Sequence, residues 1–136
     1  MANEYGFGID LHMPYEQAIA AVTDALKAEG FGVLTTIDVQ QTLRAKLGAE
    51  MEPYVILGAC NPPLAHRALS ADREIGLLLP CNVVVRATET GSRVDVADPQ
   101  AMMSITGDDA LVDVASEARQ RLQRVVEALA TGEHTT

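Results

Sequence analysis

The chain opens on two alternating patterns of apolar and polar residues, with a helical pattern between them. Over residues 5–13 every second residue is apolar, which is the period of a half-buried strand. Pro14 suits the first turn of a helix, and apolar residues then recur at helical spacing as far as Gly30. The alternation resumes over residues 31–37. This pattern predicts a strand, a helix and a second strand in direct succession.

The middle of the chain predicts two short helices and three more strands. Asp38 is a candidate N-cap with Gln41 three positions later, and Gly48 ends that short helix. Residues 54–60 form a continuous apolar run typical of a buried strand, and Asn61 with the prolines after it begins a second short helix. Residues 77–88 are rich in Val and Leu, and a turn at residues 89–92 joins them to residues 93–97 as a hairpin. In this interpretation one side of the fourth strand faces the core, through Leu77, Leu79, Cys81, Val83 and Val85.

The last third of the chain contains the strongest helical pattern. Residues 98–107 are interpreted as a linker that includes Met102 and Met103. A long helix is then predicted from Asp108, with apolar residues at alternating spacings of four and three as far as Leu129, and it ends at Gly132. Residues 133–136 are expected to be a disordered tail.

Together these elements predict one α+β domain over residues 1–132. A chain of 136 residues suits one domain and is too short for two. The predicted architecture is a mostly antiparallel five-stranded sheet with two main helices on one face and two short inserted helices.

Composition and net charge disfavour nucleic acids and anionic membranes as binding partners of the protein. The formal net charge is −9 and aromatic residues make up 4% of the chain. An acidic surface opposes binding to phosphate backbones and anionic membranes, and few aromatic rings are present to stack on bases. We therefore expect no nucleic-acid or membrane partner. The first residues lack the basic and apolar stretches of a secretory signal, so we expect a cytoplasmic protein.

The two cysteines carry the candidate chemistry. Cys60 ends the third predicted strand and lies near a helix N-terminus, where backbone N–H groups stabilise a thiolate. With Cys81 and His66 it forms a candidate donor set for a soft metal such as copper or zinc, or the two thiols cycle with a disulfide. The alternative is that both cysteines pack as small apolar residues and that His66 lies on the surface.

Two segments resemble a known family. Residues 54–65 contain Cys60-Asn61-Pro62, and residues 76–85 contain Leu79-Pro80-Cys81. Both resemble a bacterial and archaeal family known as domain of unknown function 302. The resemblance implies a β-α-β₄-α arrangement like that of the TATA-binding protein. It implies little about function, because fold does not determine function.

The hypothesis from the sequence is a homodimer that binds a small ligand or soft metal near these two segments. The candidate residues are Cys60, Asn61, Pro62, His66, Pro80 and Cys81. Dimerisation is suggested by Leu78 and Val84, which lie on the second side of the fourth predicted strand and would face away from the helices. The alternatives are a non-catalytic homodimeric interaction module with structural cysteines and a thiol-disulfide redox protein. Whether the protein is an enzyme stays open at this stage.

Overall fold

Five antiparallel strands form one sheet in the computed structural model, which describes residues 3–132. The strands are β1 (Gly6–Leu11), β2 (Gly32–Asp38), β3 (Tyr54–Cys60), β4 (Cys81–Thr88) and β5 (Gly91–Ala97). Their order across the sheet is β1-β5-β4-β3-β2, and every neighbouring pair is antiparallel. The α+β class and the five-stranded antiparallel sheet predicted from the sequence are confirmed. The tail predicted at residues 133–136 lies outside the described residues.

Two long helices cover one face of the sheet and form the main core. They are α1 (Tyr15–Ala28) and α5 (Val112–Thr131). Alternate valines of the central strands β4 and β5 are fully buried beneath them, as the period of a strand requires. Leu122 and Val125 of α5 are fully buried against the same layer. Burial of these aliphatic side chains is the main force that holds the helices on the sheet.

Three shorter helices occupy the connections. They are α2 (Val39–Leu47), α3 (Pro62–Ala71) and α4 (Pro99–Ser104). The predicted cap of α2 is present, since the Asp38 carboxylate accepts the Gln41 backbone N–H at 2.9 Å. A second apolar cluster lies between α3, α4 and the first half of α5, so α5 packs on the sheet with one half and on short helices with the other.

The strand predicted over residues 77–88 begins later than expected. Residues Arg73–Leu78 form a 3₁₀ helix, and β4 starts only at Cys81. Pro80 has no backbone N–H for a sheet ladder, and Ile75 and Leu78 lie three residues apart, which places both on one side of a 3₁₀ helix. Ile75 is buried there, whereas Leu77, predicted to face the core, is 86% exposed.

The predicted linker after β5 contains a helix. Asp98 caps α4 by accepting the Gln100 N–H at 2.9 Å, and Pro99 occupies the first helical position. Met103 is buried in the second apolar cluster. Six residues are too few to show helical periodicity, so only this Asp-Pro start could have indicated the helix in the sequence.

The opposite face of the sheet carries a different set of side chains. On β4 the buried residues Val83 and Val85 alternate with Val84 and Arg86, which therefore point away from α1 and α5. On β5 the same alternation places Arg93 and Asp95 on this second face. We call it the open face. Within residues 3–132, no helix is both long and apolar enough to cross a membrane.

Candidate functional site

Cys60 and Cys81 are neighbours at one end of the sheet. The pairing of β3 with β4 places Cys81 opposite Ala59, one residue before Cys60. Both thiols are free, and both border a small hollow of about 30 Å³. Leu64 from α3 and Met103 from α4 also line this hollow, so its surroundings are mainly apolar. The fold therefore brings together the two cysteines that the sequence analysis placed in one candidate site.

The environment of the two cysteines disfavours the thiolate form. Burial raises the pKa of Cys81 from its ordinary 9.0 to about 11, and the nearby Cys60 contributes in the same direction. Burial also raises the pKa of Cys60. The sequence suggested the opposite direction for Cys60, because it precedes a helix N-terminus. Desolvation by burial is the cause of the raised pKa of Cys60.

Asn61 has a structural role that accounts for its position between Cys60 and the prolines. Its side-chain oxygen accepts the backbone N–H of Leu64 at 3.2 Å, which caps α3. Its amide group donates to the Glu29 carbonyl oxygen at 3.3 Å, at the end of α1. Asn61 is buried, and these two bonds join α3 to α1. Pro62 begins α3 and is exposed to solvent.

The candidate metal ligands do not form a group. His66 lies on the exposed side of α3, in the solvent-facing position that the surface alternative predicted. Among residues 3–132, no three His, Cys, Asp or Glu side chains are placed together to hold a metal ion. Copper or zinc binding by Cys60, Cys81 and His66 stays a prediction.

A larger concave site lies on the open face. It is a groove of about 1210 Å³ whose floor is formed by the open-face residues of β1, β4 and β5. The segment of residues 77–80 lines one part of it, and Pro99 and Met102 of α4 line another. Pro80 and Cys81 border this groove, whereas Cys60, Asn61, Pro62 and His66 are not among its lining residues. The groove therefore includes two of the six predicted site residues.

Close packing on two strands shapes the floor of the groove. A β-carbon on Gly58 would overlap the Thr35 hydroxyl and would lie 2.9 Å from Pro80 Cγ, so the glycine lets residue 80 approach the sheet. A β-carbon on Gly8 would overlap the Val94 carbonyl oxygen of β5 and would lie 2.8 Å from Asp95 Oδ1. The absence of side chains at these positions makes room for Pro80, for the β5 backbone and for the Asp95 carboxylate.

The charged residues of the floor are two arginines and two aspartates. Arg86 and Arg93 lie directly opposite each other on β4 and β5. Arg93 is held by Asp95 at 3.0 Å on its own strand and by Asp10 at 3.5 Å on β1. The Arg93 side chain is only 13% exposed, whereas the Asp10 and Asp95 side chains are 73% and 42% exposed, so solvent screens both ion pairs from the carboxylate side.

The arginine pair depends on the exact length of the turn between β4 and β5. The turn predicted at residues 89–92 would pair Thr88 with residue 93 and place Arg86 opposite Asp95. The observed turn is two residues shorter, since Thr88 pairs with Gly91, and counting back from that pair places Arg86 opposite Arg93. The pairing of Arg93 with Asp10 could not be counted in this way, because β1 lies far away along the chain.

Comparisons with known proteins identify the family. Residues 7–129 match the family described as "Domain of unknown function DUF302". The chain belongs to the DUF302 family. This chain is similar to an uncharacterized conserved DUF302 protein from Bacillus stearothermophilus whose crystal structure is known. The two sequences are 30% identical, and the two structures superpose with a TM-score of 0.83. The similarity covers 90% of this chain and 95% of that one. No curated protein matches the chain significantly.

Membership of DUF302 confirms the family suggested by the Cys-Asn-Pro and Leu-Pro-Cys segments. The match extends over all but the first residue of the sheet and nearly all of α5, far beyond those two segments. The DUF302 description assigns no activity, so a functional argument depends on the geometry of this chain.

Proposed function

We propose that this DUF302 protein binds a small molecule in the groove of the open face. The observation that carries the proposal is the groove itself, a concavity of about 1210 Å³ on the sheet face opposite α1 and α5. Ligand sites in proteins are concave, mostly apolar and provided with a few polar groups that fix orientation. Leu78, Pro80 and Val84 supply apolar surface here, and Arg86 and Arg93 supply charge.

The size and openness of the groove indicate the kind of ligand. Pockets for small molecules typically enclose about 300–1,000 Å³. This groove is larger and open along one side, so a small molecule would fill part of it and keep one edge in solvent. The proposal retains the Leu79-Pro80-Cys81 part of the site predicted from the sequence. It gives Cys81 a packing role beside the ligand.

The test is to block the groove without disturbing the core. Val84→Trp places a large ring on the groove floor, and Ile37→Trp places the same ring on the open face two strands away, outside the groove. A panel of small organic acids, amines and alcohols is screened by amide chemical shifts in two-dimensional NMR. We expect shifts centred on β4, β5 and residues 77–81 that disappear in Val84→Trp and persist in Ile37→Trp. Shifts that map elsewhere, or that survive Val84→Trp, would refute the proposal.

A homodimer is the second candidate, and one observation favours it. Ile37, Ile56 and Val84 are paired neighbours on the open face and form an apolar row across β2, β3 and β4. Ile37 is 50% exposed on the edge strand, and such a surface suits a second copy of the chain. A mass of two chains in light scattering, reduced to one by Ile37→Glu, supports the dimer. A mass of one chain at micromolar concentration excludes it.

A further inference from the structure

The charges on the groove floor are not balanced evenly. Arg93 has two carboxylate partners, Asp10 and Asp95. Arg86 is partly buried on the same floor, and within residues 3–132 its side chain has no ion pair or hydrogen bond. Glu52 and Glu89 line a separate shallow hollow with Arg86, but neither carboxylate lies within the 4.0 Å of an ion pair. Among the described residues, no carboxylate therefore forms an ion pair with Arg86.

The position of Arg86 makes this arrangement unfavourable for the fold alone. Like charges directly opposite each other on neighbouring strands repel, and Arg86 lies directly opposite Arg93. An anion in the groove would relieve this cost, because it would pair with Arg86 and reduce its repulsion from Arg93.

We propose that the ligand of the groove is a small carboxylic acid with an apolar body, whose carboxylate pairs with Arg86. This inference rests on the proposed function and names the class of its ligand. An arginine fork binds a carboxylate through two parallel hydrogen bonds, which fixes the orientation of the acid. The apolar body lies along the groove, against Val84 and the leucine and proline side chains of residues 77–80.

The aspartates on the floor favour one negative charge over two. Asp10 and Asp95 already face the guanidinium of Arg93, and a phosphate dianion placed between the arginines would approach both carboxylates. A carboxylate carries one negative charge, which is the charge needed to pair with Arg86. Apolar walls further favour a ligand with a hydrocarbon body over a small hydrophilic anion.

The experiment compares three probes of equal chain length. Octanoate, octanol and octyl phosphate are titrated into the full chain, and binding is followed by amide chemical shifts of β4 and β5. We expect octanoate to bind more tightly than octanol and octyl phosphate.

Two variants test the role of Arg86. Arg86→Met removes the charge but keeps a long side chain, and Arg73→Met removes one charge at an exposed site outside the groove. Arg86→Met should weaken octanoate binding by roughly tenfold to hundredfold and leave octanol binding unchanged. Arg73→Met should change neither.

The possible outcomes separate this inference from the proposed function. Equal binding of octanoate and octanol, insensitive to Arg86→Met, overturns the carboxylate assignment but leaves ligand binding in the groove standing. Preference for octyl phosphate also overturns it. Absence of any octanoate shift in the groove overturns it outright, and the wider NMR panel then decides the proposed function.

Thermal unfolding provides a second measurement. Arg86→Met should unfold at the same temperature as the wild type or higher, since it removes a repulsion. A lower unfolding temperature would assign Arg86 a structural role and count against the proposal.

Discussion

Cys60→Ser leaves Cys81 as the single thiol of the protein and isolates the effect of burial on its reactivity. The pKa of Cys81 is about 11, against an ordinary value of 9.0. Only the thiolate reacts with alkylating reagents. At pH 8, roughly one molecule in ten is a thiolate when the pKa is 9, and roughly one in a thousand when the pKa is 11. The value of about 11 includes a smaller contribution from Cys60, which Cys60→Ser removes. We therefore expect folded Cys81 in this variant to alkylate more slowly than in the unfolded chain, by more than tenfold and up to about a hundredfold.

The assay follows iodoacetamide modification by intact mass at several pH values. The Cys60→Ser protein is measured folded and in urea, and circular dichroism checks that the native state persists at each pH. Cys81→Ser, which retains Cys60, is the matched control. Its folded rate should also fall below the unfolded rate, because burial raises the pKa of Cys60. Alkylation of folded Cys81 within tenfold of the unfolded rate at pH 8 would refute the reasoning. Fast alkylation of Cys60 below pH 7 would restore the redox hypothesis.

The raised pKa of Cys81 also makes the free energy of unfolding depend on pH. The folded pKa of Cys81 is raised above the unfolded value, so its contribution to stability is complete below about pH 9. That contribution is lost as the pH rises through about 11, and the full shift corresponds to roughly 2–3 kcal/mol. Comparing the pH dependence of unfolding in the wild type and in Cys81→Ser measures it. Equal slopes between pH 9 and 11 would contradict the assigned burial.

Three further predictions concern the main core, a helix cap and a close approach between strands, each measured by urea denaturation. Leu122→Ala in the fully buried face of α5 should lower the free energy of unfolding by about 2–5 kcal/mol, whereas Leu47→Ala, 75% exposed, should change it by less than about 0.5 kcal/mol. Asn61→Ala should cost about 1–2 kcal/mol through loss of the α3 cap, and a neutral result would contradict the cap. Gly58→Ala should destabilise by more than about 1 kcal/mol because its β-carbon would overlap a threonine of β2, while Gly76→Ala, which meets nothing within 4 Å, should be neutral or stabilising.

The candidate site was only partly predictable from the sequence. The Cys-Asn-Pro and Leu-Pro-Cys segments indicated the family, and the fold brings Cys60 and Cys81 together. His66 could not be placed beside them by spacing, since the direction of α3 relative to β4 depends on packing with α5. The groove was not predicted, because its lining combines residues 77–103 with residues 3–10 of and before β1, which lie far away along the chain and reach the groove only through the pairing of β1 with β5.

Local chemistry accounts for what the sequence determined by itself. Periods of two and three to four residues, together with caps such as Asp38 and glycines such as Gly132, are properties of neighbouring residues. They fixed the strands, the long helices and the α+β class. The conformation of residues 77–80 was not predicted correctly. An apolar run with a proline fits either a strand or a 3₁₀ helix until its packing partners are known.

Tertiary structure decided the properties that depend on distant partners. Pairing of β1 with β5 brings Asp10 to Arg93 and leaves Arg86 without a carboxylate partner among residues 3–132. Packing of Cys81 at the edge of the core raises the pKa of its thiol. Charge balance and desolvation depend on which groups meet in space, and a linear pattern of residue types does not contain those distances.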